Sequence, residues 1–174
     1  NIIMCILSVL SAFYLLLYIH EKGHYTVGRS YGLEVDEFRI GFGYGLNVGI
    51  YNIGLPFAGL VNFKNDELFI LPDEQQKHVL EAGIKNNRVS GIIGFFLCLV
   101  LYLLSTHFTG LNLFLNNWWF LVWPFCLTFT GFSLLAAVFD NLPMEFLGRK
   151  SDGKALKELK HKQSFASQHT NPMG

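Results

Sequence analysis

The sequence predicts an all-α integral membrane protein, with three transmembrane helices and a cytoplasmic, membrane-associated loop that contains a β-hairpin. Two apolar segments and an uneven distribution of lysine and arginine predict this class. The chain has 174 residues, 51% of them hydrophobic, and residues 1–19 and 89–139 contain no Asp, Glu, Lys or Arg. About 20 apolar residues cross a hydrocarbon core about 30 Å thick. The first segment is therefore long enough for one crossing and the second for two.

Three membrane helices are predicted, over residues 2–27, 89–107 and 117–140. The polar stretch 105–117 divides the longer apolar segment. Tryptophans open the third helix, as is typical of side chains that rest at a membrane interface. Between the first two helices, residues 33–63 carry many glycines among alternating β-branched and aromatic residues, which indicates short strands or hairpins.

Two shorter helices and a tail complete the predicted organisation. Residues 71–83 are predicted to form an amphipathic helix along the interface, and residues 152–163 a helix whose lysines contact anionic headgroups. We expect one membrane core over residues 1–163 and a disordered tail over residues 164–174. Because the chain does not begin with methionine, we expect it to be truncated or processed.

The basic residues predict the orientation of the helices. Six Lys or Arg lie between the first and second helices, six lie beyond the third, and none lies between the second and third. Since short cytoplasmic loops are enriched in these residues, the N-terminus is expected outside, with the long loop and the tail in the cytoplasm. These basic residues flank membrane segments, so they do not indicate nucleic-acid binding.

Two other interpretations of the apolar segments are weaker. A soluble domain would need amphipathic partners to cover three helices that are apolar all round, and the chain offers only one mixed loop and a short basic tail. A signal peptide would have a basic leading region and a cleavage site of small residues. The first segment has no basic leading region, and "HEKGH" follows it directly.

A metal-binding pattern stands at the end of the first apolar segment. His20 and His24 are four residues apart, so on a helix their imidazoles share one face and can bind the same metal ion. Glu21 lies beside them and can serve as the general base of a zinc hydrolase. Ionisable side chains in a membrane helix are costly and usually functional. Lys22 is expected to turn away toward the interface.

Catalytic zinc usually has three protein ligands, so a third ligand is needed. Asp140, Glu145 and Asp152 are the candidates that follow the last membrane helix. The predicted topology places them on the same side of the membrane as the histidines. The residues alone do not choose among the three carboxylates.

Several stretches together resemble the zinc site-2 protease family of intramembrane metalloproteases, in the compact form without a PDZ domain. They are "HEKGHYTVGRSYGLEVDEFRIGFG" (20–43), "LPFAGLVNF" (55–63), "EAGIKNNRVSG" (81–91), "NLP" (141–143) and "SDG" (151–153). The resemblance implies that His20, His24 and Asp152 bind one zinc ion and that Glu21 activates water. It also implies that Asn87 orients the substrate or stabilises its oxyanion.

The resemblance implies an intramembrane zinc metalloendopeptidase that hydrolyses a peptide bond within or next to a transmembrane segment. Its partners are then the lipid bilayer and a membrane protein or peptide substrate. We expect a multi-pass protein of the bacterial cell membrane with its active site toward the cytoplasm. The alternatives are a catalytically inactive protein of this fold that binds partner helices, and a metal-binding or metal-transporting protein. The longer spacing to the third ligand and the absence of the family's proline at Ile84 leave the inactive protein as an alternative, whereas intact His20, Glu21 and His24 argue against it.

Under the protease interpretation, the predicted hairpin gains a role. A membrane substrate is expected to be helical, whereas hydrolysis requires an extended backbone. The edge of a sheet can bind an extended peptide as an additional strand. We therefore hypothesise that residues 33–63 receive the unwound substrate beside the zinc.

Overall fold

The computed structural model describes residues 2–107, 109–143, 145–146 and 149–169. In chain order its elements are α1 (Ile2–Ser30), β1 (Val35–Val48), β2 (Tyr51–Phe63), a 3-10 turn (Lys64–Asp66), α2 (Glu67–Ile70), α3 (Asp73–His107), α4 (Thr109–Phe139), β3 (Glu145–Phe146), β4 (Arg149–Lys150) and α5 (Asp152–His169).

The helices α1, α3 and α4 contact one another pairwise and form the body of the protein. Within the described residues, these three helices are long and apolar enough to cross a membrane, which confirms their predicted number. On α1, the small or apolar residues Ser8, Ala12 and Leu16 recur every four positions and are buried. Phe13 packs on Phe132 of α4, with ring centroids 4.6 Å apart. Most large apolar side chains on the outer faces are exposed.

The helix boundaries differ from those predicted. The predicted interfacial helix 71–83 and membrane helix 89–107 form one continuous helix, α3, because no proline or glycine pair interrupts the backbone between them. The third long helix begins at Thr109, ahead of the predicted residue 117, but its candidate membrane span, Trp118–Phe139, agrees with the predicted 117–140. Polar side chains in this stretch do not prevent the backbone from forming its internal hydrogen bonds. Of the predicted connection 105–117, residue 108 lies outside the described residues.

The predicted hairpin is present, and its pairing is more complex than that of a simple hairpin. A two-residue turn at Gly49 and Ile50 joins β1 to β2, and Gly49 has a φ of 62° that favours glycine. Residues 38–40 pair in antiparallel sense with residues 59–61 on one side, and in the same direction as residues 51–53 on the other. The strands therefore form a mixed sheet.

The sheet packs on the last turns of α1. Phe38 is almost completely buried among the rings of Tyr18, Tyr25 and Tyr51, at centroid distances of 5.9, 5.8 and 5.4 Å. A second cluster joins Leu33, Phe63 and Val79 of α3. These contacts place β2 beside the turn of α1 that carries the histidines.

The last helix, α5, is anchored to the end of α4. The Gly153 N–H donates a hydrogen bond of 2.7 Å to the Asp140 carbonyl. A side chain at Gly153 would collide with the backbone of Asn141. The helix continues to His169, while residues 170–174 lie outside the described residues. The division of the chain at residue 163 stays a prediction.

Candidate metal centre

The motif on α1 is helical, as its spacing predicts. His20 and His24 lie one turn apart, with their ring centroids 4.9 Å apart. Their Nε2 atoms approach to 3.1 Å. Both histidines therefore present the same ring nitrogen to one point beside the helix. Lys22 points elsewhere, with its Nζ 4.2 Å from the centre of the Tyr25 ring.

Asp152, in the first turn of α5, completes a triangle with these histidines. Its Oδ2 atom lies 3.2 Å from His20 Nε2 and 3.2 Å from His24 Nε2. Zinc bonds of about 2.0–2.1 Å in tetrahedral geometry hold ligand atoms about 3.3–3.4 Å apart. The three atoms are thus spaced as ligands of one ion would be. In the described part of the chain, these residues form the one group of at least three His, Cys, Asp or Glu that could hold a metal.

Glycine at position 83 of α3 keeps this point open. A Cβ atom at Gly83 would collide with the rings of His20 and His24, including the Nε2 atoms of both. The absence of a side chain leaves room beside the nitrogen atoms that face Asp152. The spacing of the donor atoms and this space both fit a zinc ion.

The second nitrogen of each histidine has a protein partner. His24 Nδ1 lies 2.7 Å from the Val79 carbonyl, which can only accept a hydrogen bond. His24 therefore carries a proton on Nδ1, and Nε2 is the nitrogen that can offer a lone pair to a metal. His20 Nδ1 lies 2.9 Å from Asn87 Nδ2 and 3.4 Å from Asp140 Oδ2.

Two partly buried carboxylates near His20 differ in their electrostatics. Burial would raise the pKa of Asp152, but the positive charge of protonated His24 and His20 and the hydrogen bonds from both rings outweigh it and hold that pKa well below its usual range. At Asp140, burial dominates and raises the pKa, although His20 and a hydrogen bond from Asn87 oppose it. Asp152 is therefore the carboxylate that the two histidines stabilise in its charged form.

Glu21 is buried beside the histidines, with 5% of its surface exposed. Residue 59 of β2 lies directly against it, because a Cβ atom at Gly59 would collide with the Glu21 carboxylate. The sheet therefore covers the glutamate, and only glycine leaves space at this crossing. This arrangement can hold a general base away from bulk water and next to the predicted metal ligands.

The structure brings together most of the residues singled out from the sequence. His20, His24 and Asp152 converge, Glu21 adjoins them, and Asn87 contacts His20. Of the other two candidate ligands, Asp140 faces Nδ1 of His20 instead of Nε2, and the Glu145 side chain lies outside the described residues. The roles assigned to these residues stay predictions.

Sequence reasoning missed Gly59, Gly83 and the Val79 carbonyl as parts of the site. The two glycines stand inside "LPFAGLVNF" and "EAGIKNNRVSG", so those motifs contained a signal. A backbone carbonyl leaves no signal in the sequence, since every residue has one.

Comparison with models of known protein families gives a match to nearly the whole chain. The family model described as Peptidase family M50 matches residues 8–172, which is nearly the whole chain. The matched segment includes both histidines, the glutamate and Asp152. No curated protein matches the chain significantly.

Proposed function

Because the chain belongs to peptidase family M50, the site-2 protease family, we propose that it is an intramembrane zinc metalloendopeptidase. It hydrolyses a peptide bond within or next to a transmembrane segment of another protein. The observation that carries this proposal is the triangle of His20 Nε2, His24 Nε2 and Asp152 Oδ2, with sides of 3.1–3.2 Å, next to Glu21.

The surface of the protein supports a location in the bilayer. Three helices are long and apolar enough to cross it, and their outer faces expose leucine, isoleucine and phenylalanine. The turn of the sheet is also apolar and exposed, with Leu46 at 74% and Val48 at 64%. We propose a multi-pass protein of the bacterial cell membrane, with the N-terminus outside and the site toward the cytoplasm. The hairpin then lies against the membrane beside the site.

Each residue of the site has a role in hydrolysis. His20, His24 and Asp152 hold one zinc ion, which when bound supplies a Lewis acid that polarises water and the substrate carbonyl. Glu21 removes a proton from the attacking water as its oxygen bonds to the peptide carbon. It then delivers that proton to the nitrogen, and the C–N bond breaks to give a carboxylate and an amine. Asn87 is the proposed amide donor toward the oxyanion.

The sheet is the proposed substrate site. Its strand at residues 59–61 lies against Glu21, and an extended peptide added to an edge of the sheet would be held on the side of the molecule that carries the site. Main-chain hydrogen bonds at the edge would hold the unwound segment without requiring a particular sequence. The lipid bilayer and a membrane protein or peptide are thus the partners.

Substitution of the general base tests the proposal directly. Glu21→Gln removes the base and keeps every metal ligand, so the purified chain should retain about one zinc while cleavage of a reconstituted membrane reporter falls at least about a hundredfold. His24→Ala and Asp152→Ala should lose zinc as well as cleavage. Glu81→Gln, a glutamate of α3 paired with Lys85, is the matched control and should retain both.

The alternatives give different results in the same experiment. An inactive protein that binds partner helices would bind the reporter and leave it uncleaved even in its unmutated form. A metal transporter would exchange zinc readily without proteolysis. Cleavage by Glu21→Gln near the unmutated rate would refute the assignment of the base, and an unmutated chain without zinc would refute the metal centre.

A further inference from the structure

The second ring nitrogen of His20, Nδ1, has two side-chain neighbours, whereas Nδ1 of His24 contacts a backbone carbonyl. Nε2 faces His24 and Asp152, so a metal at that point needs the Nε2 lone pair. The imidazole proton must then lie on Nδ1 and needs an acceptor. For His24 that acceptor is the Val79 carbonyl. For His20, the atoms near Nδ1 belong to side chains, so the acceptor must be a side-chain atom.

Two side-chain atoms lie near His20 Nδ1. Asn87 Nδ2 is at 2.9 Å and Asp140 Oδ2 is at 3.4 Å. The amide nitrogen of Asn87 can only donate, and it already donates to Asp140 Oδ2 at 2.8 Å. The opposite orientation of the amide would set its oxygen against the Asp140 carboxylate, which would be repulsive. Of these two atoms, Asp140 Oδ2 is the one that can accept a hydrogen bond, so once a metal holds Nε2 and the His20 proton lies on Nδ1, Asp140 is the acceptor for it.

Asp140 also contacts the part of the chain that holds the third ligand. Its backbone carbonyl accepts the Gly153 N–H at 2.7 Å, one residue from Asp152. Gly153 is buried, and a Cβ atom at that position would collide with the Asp140 and Asn141 carbonyls. One residue thus reaches His20 through its side chain and the first turn of α5 through its backbone.

We propose that Asp140 is a positioning residue of the metal centre. Its carboxylate accepts the Nδ1–H of His20 and so orients the Nε2 lone pair, while its carbonyl holds the turn that carries Asp152. Asn87 keeps the carboxylate in place from the other side. The inference rests on the proposed function, since it presumes that His20 binds zinc.

The expected consequence is tighter metal binding. A carboxylate that accepts the outer N–H of a metal-bound histidine raises the basicity of the ligating nitrogen, and loss of such a partner typically weakens metal affinity about 10–100-fold. Because Asp140 faces Nδ1 and not Nε2, its removal should weaken zinc binding without changing which atoms ligate.

The test measures zinc affinity and the ligand set separately in full-length protein in detergent. Asp140→Leu removes the acceptor and keeps the branching at Cγ, and its zinc affinity, measured by chelator competition, should fall about 10–100-fold. Asp140→Asn keeps an acceptor oxygen and should show a smaller loss. The visible absorption of the Co²⁺-substituted protein should be the same in both variants as in the unmutated chain. Asp73→Asn, which changes a carboxylate paired with Lys162 of α5, is the control.

Two results would overturn the inference. Unchanged zinc affinity in both Asp140 variants would show that the contact does not support the metal. A changed Co²⁺ spectrum with loss of one ligand would make Asp140 a ligand. If Asp140→Leu does not fold, Asp140→Asn still decides, because its affinity must fall severalfold. If all variants bind zinc equally, the inference about Asp140 fails and the proposed function stands. If the unmutated chain binds no zinc, the inference and the proposed function both fail.

Discussion

At the scale of single residues, the candidate site depends on positions without side chains as much as on the ligands. Gly83 leaves space beside the Nε2 atoms of both histidines, and Gly59 leaves space at the Glu21 carboxylate. Helical glycine is unfavourable by roughly 1 kcal/mol relative to alanine. Its presence at position 83 is understandable, because the Cβ atom of any larger residue would collide with the ring nitrogens of His20 and His24.

The substitution Gly83→Ala tests this interpretation. The added methyl group would contact the two histidine rings, so zinc affinity should fall by about tenfold or more even though alanine favours a helix. Affinity can be measured by chelator competition, with helix content checked by circular dichroism. Gly91→Ala is the matched control on the same helix, since its methyl group would meet only side-chain atoms of α4. Equal affinity in the two variants would show that the space beside the histidines is not needed.

Substitution of a second glycine, Gly59, tests the general base independently of the metal ligands. Gly59→Ala would press against the Glu21 carboxylate but not against the histidines, so cleavage should fall about tenfold or more while about one zinc per chain is retained. Zinc content and reporter cleavage in the same preparation distinguish the two effects. Gly131→Ala, where nothing lies within 4 Å, serves as the control. Loss of zinc in Gly59→Ala would contradict the separation.

At the scale of elements, the strands lie in the order 46–48, 51–53, 38–40 and 59–61, so the first and the last of these form the edges of the sheet. Ile53 pairs with Ile40 on one side and Leu46 on the other, so it lies inside the sheet. A proline there would disrupt the sheet itself. Residues 46–48 lie at one edge, and they pair with residues 51–53 alone. This edge is the better place to test for binding of an extended substrate.

The substitution Asn47→Pro makes that test. Val48 and Tyr51 close a two-residue turn and form a hydrogen-bonded pair, so the next pair, Asn47 and Asn52, directs the Asn47 N–H outward. Removing this donor should slow reporter cleavage about threefold to tenfold, as expected for one hydrogen bond of about 1 kcal/mol. Asn47→Ala keeps the N–H and should cleave normally. An unchanged rate for the proline variant, with the sheet intact, would remove this edge as the substrate site.

At the scale of the whole molecule, the arrangement of charge and apolar surface predicts how the chain sits in a membrane. The outer faces of α1, α3 and α4 are apolar, while the exposed lysines of α5 lie beyond the last long helix. Moving these lysines across a bilayer would be costly. We therefore expect α5 on the cytoplasmic side.

Single-cysteine labelling tests this topology. With Cys5, Cys98 and Cys126 replaced by serine, a cysteine at Ile3 should react with a membrane-impermeant maleimide in intact cells. A cysteine at Lys160 should react only after the membrane is permeabilised. Ile3 lies in the first turn of α1, at the outer end of the predicted membrane helix, and Lys160 is exposed on α5, so reactivity reports their side of the membrane. Reaction at Lys160 in intact cells would contradict the orientation, and release of the protein by alkaline carbonate would contradict membrane embedding.

The sequence by itself determined the number of long apolar helices, the presence of a β-hairpin and the facing pair His20 and His24. Each depends on neighbouring residues only: the length of an uncharged run, the alternation of side chains and the pitch of a helix. The starts of α3 and α4 were predicted too late, because polar residues do not by themselves end a helix, whereas their last residues agree with the prediction to within one position.

Only the tertiary structure decided which carboxylate faces both Nε2 atoms, and that Asp140 contacts the opposite nitrogen of His20. It also decided that two glycines open the space around the site and that the strands form a mixed sheet. These features join residues far apart in the sequence. Because such contacts depend on how helices pack and on which way a ring nitrogen points, no local pattern encodes them.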